Sequence, residues 1–162
     1  MKQLMRFEIN GELVEAAVLP NTTLLNFLRD TLGITSVKRG CDEGDCGACT
    51  VLVNGKGVAS CSTLAAQVQG KKIVTVEGLS KGGELSPYQQ AFVDEFAIQC
   101  GFCTPGMVLS VVALLNENPD PTEAEIRDYL RGNICRCTGY TNIINAVHRA
   151  QELLKESGKK ED

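Results

Sequence analysis

The sequence predicts an α+β fold in which a small β-sheet domain precedes a helical domain. Strand-like alternation broken by Asn-Gly pairs fills the first half of the chain, and apolar residues at helical spacing fill the second. The run Lys81-Gly82-Gly83 interrupts both patterns. We therefore predict two domains, residues 1–79 and residues 84–162. Because a core of fewer than about 80 residues is a weak stabiliser, we expect each domain to need a further source of stability.

Two Asn-Gly pairs predict β-hairpins in the first half. Asn10-Gly11 and Asn54-Gly55 suit two-residue turns because both residue types tolerate positive φ. The paired strands would be residues 7–9 with 13–14 and residues 51–53 with 58–60.

A helix and a last strand complete the first half. Apolar residues within 24–32 recur at helical spacing, with Thr22 or Thr23 available as N-cap and Gly33 as the C-terminal stop. The apolar run Ile73–Val76 is typical of a strand. Hairpin, helix, hairpin and strand in that order predict a β-grasp sheet crossed by a helix.

Four helices are predicted in the second half. Ser86 and Gln89 form a capping box ahead of an apolar stripe that contains Phe92 and Phe96. Thr104-Pro105 opens a second helix so rich in apolar residues that we expect it to be buried. The other two helices would span residues 122–132, where Thr122 and Glu125 form a capping box, and residues 143–154. Helices joined by short loops predict a small four-helix-bundle-like domain.

Composition excludes several classes of protein. With 16 basic and 20 acidic residues the formal net charge is −4, and no basic block is interleaved with aromatic residues, so nucleic acid is not an expected partner. No run approaches the roughly 18 apolar residues of a membrane span, and residues 1–11 contain no hydrophobic signal region. We therefore expect a cytoplasmic chain, in which eight cysteines serve as metal ligands or redox groups rather than disulfides.

The cysteines of the first half follow one recognised pattern. Cys41, Cys46 and Cys49 are separated by four and two residues, and Cys61 follows at a distance. This spacing is typical of plant-type ferredoxins, in which four thiolates bind a 2Fe-2S cluster. Glycines at positions 40, 44 and 47 would let the loop turn tightly and direct backbone N–H groups towards the sulfurs.

The cysteines of the second half form a less diagnostic set. Cys100 and Cys103 lie just before the predicted buried helix, and Cys135 and Cys137 follow another helix end. A helix N-terminus beside Cys103 would favour an anionic centre. Spacing alone permits a 2Fe-2S cluster or a tetrahedral zinc site, and less readily disulfides. Because no nucleophile is accompanied by a base and an orienting group, this chain by itself is not expected to act on a substrate.

Three motifs together resemble one known family. The segments Cys41–Thr50, Gln99–Gly106 and Gly132–Tyr140 are similar to those of the small iron–sulfur subunit of the molybdenum hydroxylases, the xanthine oxidase family. The similarity extends over residues 3–155, and all eight ligand positions are occupied. The resemblance implies an N-terminal plant-type ferredoxin-like domain, a C-terminal helical domain and a 2Fe-2S cluster in each.

The resemblance also implies partners and an order of electron transfer. Family members work with a large molybdopterin-binding subunit and usually with a medium FAD-binding subunit, commonly as a dimer of heterotrimers. Electrons would pass from molybdenum to the helical-domain cluster, then to the ferredoxin-like cluster, then to flavin or another acceptor. By analogy, Cys137 lies beside the pterin and Gln99 hydrogen-bonds it.

Other functions stay open at this point. The chain could be a free-standing ferredoxin-like carrier or an iron–sulfur redox sensor, although the helical domain would then have no role. It could also be a zinc-binding scaffold without redox activity. Relatives oxidise purines, N-heterocycles, aldehydes, carbon monoxide or aromatic acyl thioesters in the large subunit, so the substrate does not follow from this chain.

Overall fold

The computed structural model describes residues Met1–Gly158, so the last four residues of the predicted second domain lie outside the described residues. The fold is α+β, with a five-stranded sheet followed by helices. The strands are β1 Gln3–Ile9, β2 Glu12–Val18, β3 Thr50–Val53, β4 Lys56–Ala59 and β5 Lys72–Val74. The helices are α1 Leu24–Asn26, α2 Pro87–Asp94, α3 Thr104–Glu117, α4 Glu123–Leu130 and α5 Thr141–Ser157.

The sheet has the order β2-β1-β5-β3-β4, with two antiparallel hairpins on either side of β5. Strand β5 runs parallel to β1 and antiparallel to β3. Both predicted hairpin turns are confirmed, since Asn10-Gly11 and Asn54-Gly55 have positive φ at all four residues. Strand β5 ends at Val74 rather than at Val76, because the amide oxygen of Asn10 accepts the Thr75 N–H and a 3-10 turn follows.

The helix across the sheet differs in type from the prediction. Thr23 is its N-cap and accepts a hydrogen bond from the Asn26 N–H. After three α-helical residues the chain continues as a π-helical segment, Phe27–Thr31, which closes with a bond from the Leu32 N–H to the Phe27 carbonyl. The Phe27 ring packs on Phe7 of β1 at a centroid distance of 4.6 Å, which places the helix on the sheet core.

Helices α2, α4 and α5 of the second half share one hydrophobic core with α3. Both capping boxes are confirmed, at Ser86 before α2 and at Thr122 before α4. Ten residues of α3 are buried, as the apolar run predicted. None of the helices in residues 1–158 combines the length and apolar character that a membrane crossing needs.

The prediction that Phe96 belongs to the apolar stripe of α2 is wrong. Helix α2 ends at Asp94, and Phe96 has a φ of 52° and a side chain that is 80% exposed. The neighbouring Ala97 is buried instead, because the chain reverses here and the Ala97 N–H bonds back to the Phe92 carbonyl.

The two halves have separate cores that meet along α3 and β3. One core lies between the sheet and the crossing helix, and the other lies among the four C-terminal helices. Leu52 of β3 belongs to the helical core, so the sheet contributes directly to it. The Gln89 amide also donates to the Val76 carbonyl at 3.0 Å. The cysteine-bearing loops lie at this boundary.

Candidate metal centres

The thiols of the eight predicted ligand cysteines interact as four pairs, two pairs in each half of the chain. The pairs in the first half are Cys41 with Cys46 and Cys49 with Cys61. The pairs in the second half are Cys100 with Cys137 and Cys103 with Cys135. Among residues 1–158, no group of three or more candidate ligand side chains is arranged around one point. Two thiols for each of two irons match the observed pairs.

Three cysteines of the first set lie on a loop whose backbone is folded around one sulfur, and Cys61 lies in the 3-10 turn after β4. The N–H groups of Glu43, Asp45 and Cys46 donate to the Cys41 sulfur at 3.3–3.4 Å. These donors lower the pKa of the Cys41 thiol to about 6 because they stabilise the thiolate. The glycine spacing is needed for this path, since Gly44 and Gly47 have positive φ. The loop is therefore preorganised for an anionic sulfur.

Cys49 and Cys61 form the inner pair of the first set. Both residues are buried, whereas Cys41 and Cys46 are partly exposed. Burial raises the pKa of the Cys49 thiol, because a low-dielectric surrounding disfavours the charged form. A bound metal would offset this penalty by replacing the proton. The site therefore has a solvent-facing side and a dry side.

One arginine holds the outer part of this loop. The Arg39 guanidinium donates to the Asp42 carboxylate at 3.2 Å, to the Asn26 amide oxygen at 2.8 Å and to the Asp30 carboxylate at 3.4 Å. Asp42 has a φ of 63°, an unfavourable conformation for a residue with a β-carbon. Arg39 therefore connects the crossing helix to the strained residue of the loop. The sequence pattern gave no sign of this role.

The second set is assembled from two separated segments. Cys103 is the N-cap residue of α3, and Cys135 lies between α4 and α5. Burial and contact with Cys135 raise the pKa of the Cys103 thiol to about 12. Burial alone would raise the pKa of Cys135, but hydrogen bonds led by that from the Thr138 hydroxyl, at 3.1 Å, lower it. The Cys135 sulfur therefore accepts a hydrogen bond from a side-chain hydroxyl, whereas the Cys41 sulfur accepts hydrogen bonds from three backbone N–H groups.

Cys100 and Cys137 form the outer pair of the second set. Both are exposed, and their mutual hydrogen bond is the largest influence raising the pKa of Cys137. Gln99, which the sequence analysis associates with the pterin, is exposed immediately beside Cys100. The structure thus brings Gln99 and Cys137, the two residues with expected roles at the pterin, to one part of the surface, beside Cys100.

The two sets of cysteines are joined directly through the backbone. The Ile134 N–H donates to the Cys46 carbonyl at 2.9 Å, and the buried Asn133 amide donates to the Gly47 carbonyl at 3.2 Å. A β-carbon on Gly106, in the first turn of α3, would overlap that same Gly47 oxygen. The three cysteine-rich segments therefore converge on residues 46–47. Sequence analysis missed this junction, although a glycine inside a helix was a signal of close approach.

Two family models match the two halves of the chain. Residues 7–76 match a model described as a 2Fe-2S iron–sulfur cluster binding domain, and residues 75–148 match one described as a [2Fe-2S] binding domain. The pairwise thiols and the matched domains define an iron–sulfur protein with two 2Fe-2S clusters.

Relatives with similar sequences are subunits of oxidoreductases. The nicotinate dehydrogenase small FeS subunit of Eubacterium barkeri is 49% identical over 151 residues, which cover 93% of this chain and 96% of that protein. The xanthine dehydrogenase iron–sulfur-binding subunit of Escherichia coli O157:H7 is 50% identical and covers 86% of this chain and 88% of its own length.

Solved structures show the same similarity. A chain of quinoline 2-oxidoreductase from Pseudomonas putida 86 superposes with a TM-score of 0.91 at 42% identity, covering 96% of this chain and 97% of that chain. The aldehyde oxidoreductase from Desulfovibrio desulfuricans also gives a TM-score of 0.91, at 41% identity, over 95% of this chain but 17% of that one. The chain belongs to the family of small iron–sulfur subunits of the molybdenum hydroxylases.

Proposed function

We propose that this chain carries electrons from the molybdopterin centre of a large subunit, through its two 2Fe-2S clusters, to FAD or another acceptor. The observation that carries the proposal is the direct connection of the two cysteine sets by the hydrogen bond from the Ile134 N–H to the Cys46 carbonyl. Each cluster supplies reversible one-electron chemistry when it is bound. The chain's own residues bind the clusters, limit their access to water and connect them.

The proposed ligands divide between the two halves. Cys41, Cys46, Cys49 and Cys61 would bind the N-terminal cluster, and Cys100, Cys103, Cys135 and Cys137 would bind the C-terminal one. Support comes from the pairs of thiols, since each iron of a 2Fe-2S cluster takes two thiolates.

The two outer pairs give the proposed pathway a direction. Cys137 and Gln99 would meet the molybdopterin, which makes the second set the entrance for electrons. The outer side of the first set, with its partly exposed Cys41, would face the flavin or another acceptor. Between them, Cys46 and Ile134 offer a route of covalent bonds interrupted by one hydrogen bond, and no through-space gap is needed.

The fold supports the proposed division of the chain into two domains. We assign residues 1–79 to a β-grasp, plant-type ferredoxin-like domain and residues 84–162 to a four-helix-bundle-like domain. The two hydrophobic cores and the parallel pairing of β1 with β5 favour this division. The domains would stay in contact during electron transfer, because the junction hydrogen bonds lie between them.

The proposed assembly follows the family. A large molybdopterin-binding subunit, a medium FAD-binding subunit and a dimer of such heterotrimers would complete the enzyme, which we place in the cytoplasm. The small subunit would contribute no group to substrate oxidation. The substrate class would be set by the large subunit, so the names of the relatives do not transfer to this chain.

Metal content and spectroscopy test the cluster assignment. Purified protein should contain about four irons and four acid-labile sulfides, because two 2Fe-2S clusters require them. EPR spectra of the reduced protein should show two distinct signals. Zinc in place of iron, or a single signal, would contradict the proposal.

Copurification separates the subunit from a free-standing carrier or redox sensor. Expressed in its native host with an affinity tag, the chain should retain large molybdenum and flavin subunits. A lone chain that accepts and donates electrons without them would instead support the carrier.

A further inference from the structure

Phe96 occupies the left-handed turn that ends α2, a position that favours glycine. Its φ of 52° lies in the left-handed region, where a β-carbon is unfavourable and glycine would fit without strain. The turn is fixed by hydrogen bonds from the Phe96 N–H to Val93 at 3.2 Å and from the Asn142 amide to the Phe96 carbonyl at 3.3 Å. The result is a phenylalanine ring presented to solvent, 80% exposed.

The ring belongs to a longer apolar stretch of surface. Residues 96–102, which we call the connector, join α2 to α3 and contain no charged residue, although 22% of the chain is charged. Ile98 and Phe102 are 40% and 46% exposed. The buried Ala97 anchors the connector between Phe96 and Ile98. Several large apolar side chains exposed in one short segment indicate an interaction site rather than scattered surface residues.

The position of the connector indicates what covers it. The connector itself carries Gln99 and Cys100, and Cys100 contacts the exposed Cys137. In the proposed function this is the face through which electrons enter. A partner that approached the outer thiols would therefore also cover the apolar side chains and exclude water around them.

We propose that the connector is the docking surface for the large molybdenum-binding subunit, with the Phe96 ring as its main anchor. This proposal rests on the proposed function and adds the residues that make the contact. Aromatic side chains that enter a dry pocket commonly dominate the energy of an interface. The left-handed turn would present the Phe96 ring in a fixed direction and so reduce the entropy lost on binding.

The test compares two substitutions of exposed apolar residues. Phe96→Gly removes the ring and suits the left-handed turn, so the chain should keep both EPR signals and lose no thermal stability. Leu13→Ala is the matched control, because Leu13 is 86% exposed on β2, in the sheet half of the chain. Binding to the purified large subunit would be measured for wild type and both variants by titration with labelled small subunit.

We expect Phe96→Gly to weaken this binding about 30-fold, the scale of an interface hot spot, and Leu13→Ala to leave it unchanged. Ile98→Ser should weaken it less. Wild-type affinity in Phe96→Gly would overturn the docking surface, as would an effect confined to self-association of the small subunit. If wild type itself failed to bind the large subunit while holding both clusters, the proposed function would be the part that failed.

Discussion

Each of the two cysteine sets is proposed to bind one cluster, but the two sets are built differently. Three of the four cysteines of the first set lie on one continuous loop, in which three backbone N–H groups donate to the sulfur of Cys41. The second set joins two separate segments of the helical half. There, the Thr138 hydroxyl donates a hydrogen bond to the Cys135 sulfur. Local sequence defines the first site, whereas tertiary packing defines the second.

We expect this difference in construction to give the two clusters different reduction potentials. Hydrogen bonds to a cluster thiolate favour the reduced, more negative state, so more donors should raise the reduction potential. The acidic residues Asp42, Glu43 and Asp45 act in the opposite direction, but they are exposed and screened by solvent. We therefore expect the first cluster to have the higher potential, which favours electron flow from the second site to the first.

Removing one ligand from each site should have the largest effect. Cys137→Ala should lower the iron content from about four to about two per chain and abolish one EPR signal, because each cluster has its own ligands. Cys61→Ala, the matched change at the first site, should abolish the other signal. In the complete enzyme, Cys137→Ala should block reduction by substrate but leave flavin reduction by an external donor intact. Loss of both signals from either variant would show that the sites are not independent.

A substitution at the junction should affect both halves together. Gly106→Ala would bring a β-carbon against the Gly47 carbonyl, and we expect it to lower the free energy of unfolding by about 1–3 kcal/mol. Gly57→Ala is the control at the same boundary, because its β-carbon would meet Ala113 and Thr50 at 3.7 Å, an ordinary contact. Chemical denaturation of the cluster-loaded proteins would compare them. Equal stability of the two variants would argue against the close approach at Gly47.

Arg39 offers a smaller change confined to the first site. Arg39→Gln removes a positive charge and the bond to Asp42, so it should lower the potential of the first cluster by about 20 mV, equivalent to about 0.5 kcal/mol for one electron. The reduction potential of the second cluster should not change. Arg127→Gln, which breaks an exposed ion pair with Glu123 on α4, is the control. A potentiometric EPR titration in which both clusters moved together would contradict a local role for Arg39.

A helix cap of the second half offers a change that lies outside both cysteine sets. Thr122→Ala removes the hydroxyl that accepts the Glu125 N–H, which should cost about 1 kcal/mol of stability without changing either EPR signal. The hydroxyl and backbone of Thr122 also hold the pKa of the Glu125 carboxyl below its ordinary value. A carboxyl whose pKa is lower in the folded chain than in the unfolded chain stabilises the fold in its deprotonated form. This contribution is therefore present at neutral pH and is lost as the pH falls below about 4.5. Urea denaturation of the wild type and Thr122→Ala at pH 7 would measure the contribution of the cap to stability. An unchanged midpoint in the variant would argue against that contribution.

The sequence contained the local features of the fold and few of the long-range ones. Both Asn-Gly hairpins and both capping boxes could be predicted, because turns and caps depend on neighbouring residues. Helical spacing alone assigned Phe96 to a buried stripe, since periodicity does not reveal where a helix ends. The π-helical turn after Asn26 also had no local signal.

In the candidate sites, too, local features could be predicted from the sequence and long-range contacts could not. The loop of the first set follows from cysteine and glycine spacing, and the structure adds the support from Arg39. The second set depended on resemblance, because spacing does not distinguish zinc from a cluster. The hydrogen bond between Ile134 and Cys46 could not be predicted, since it joins backbone groups of residues far apart in the chain.

A redox titration of the purified chain, followed by EPR, tests the central claim most directly. The Cys61 and Cys137 variants would assign each signal to its site. We predict two signals of equal intensity, with the signal of the first site appearing at the higher potential and a magnetic interaction between them once both are reduced. Reduction of the second site before the first, or a single signal, would contradict the proposed electron pathway.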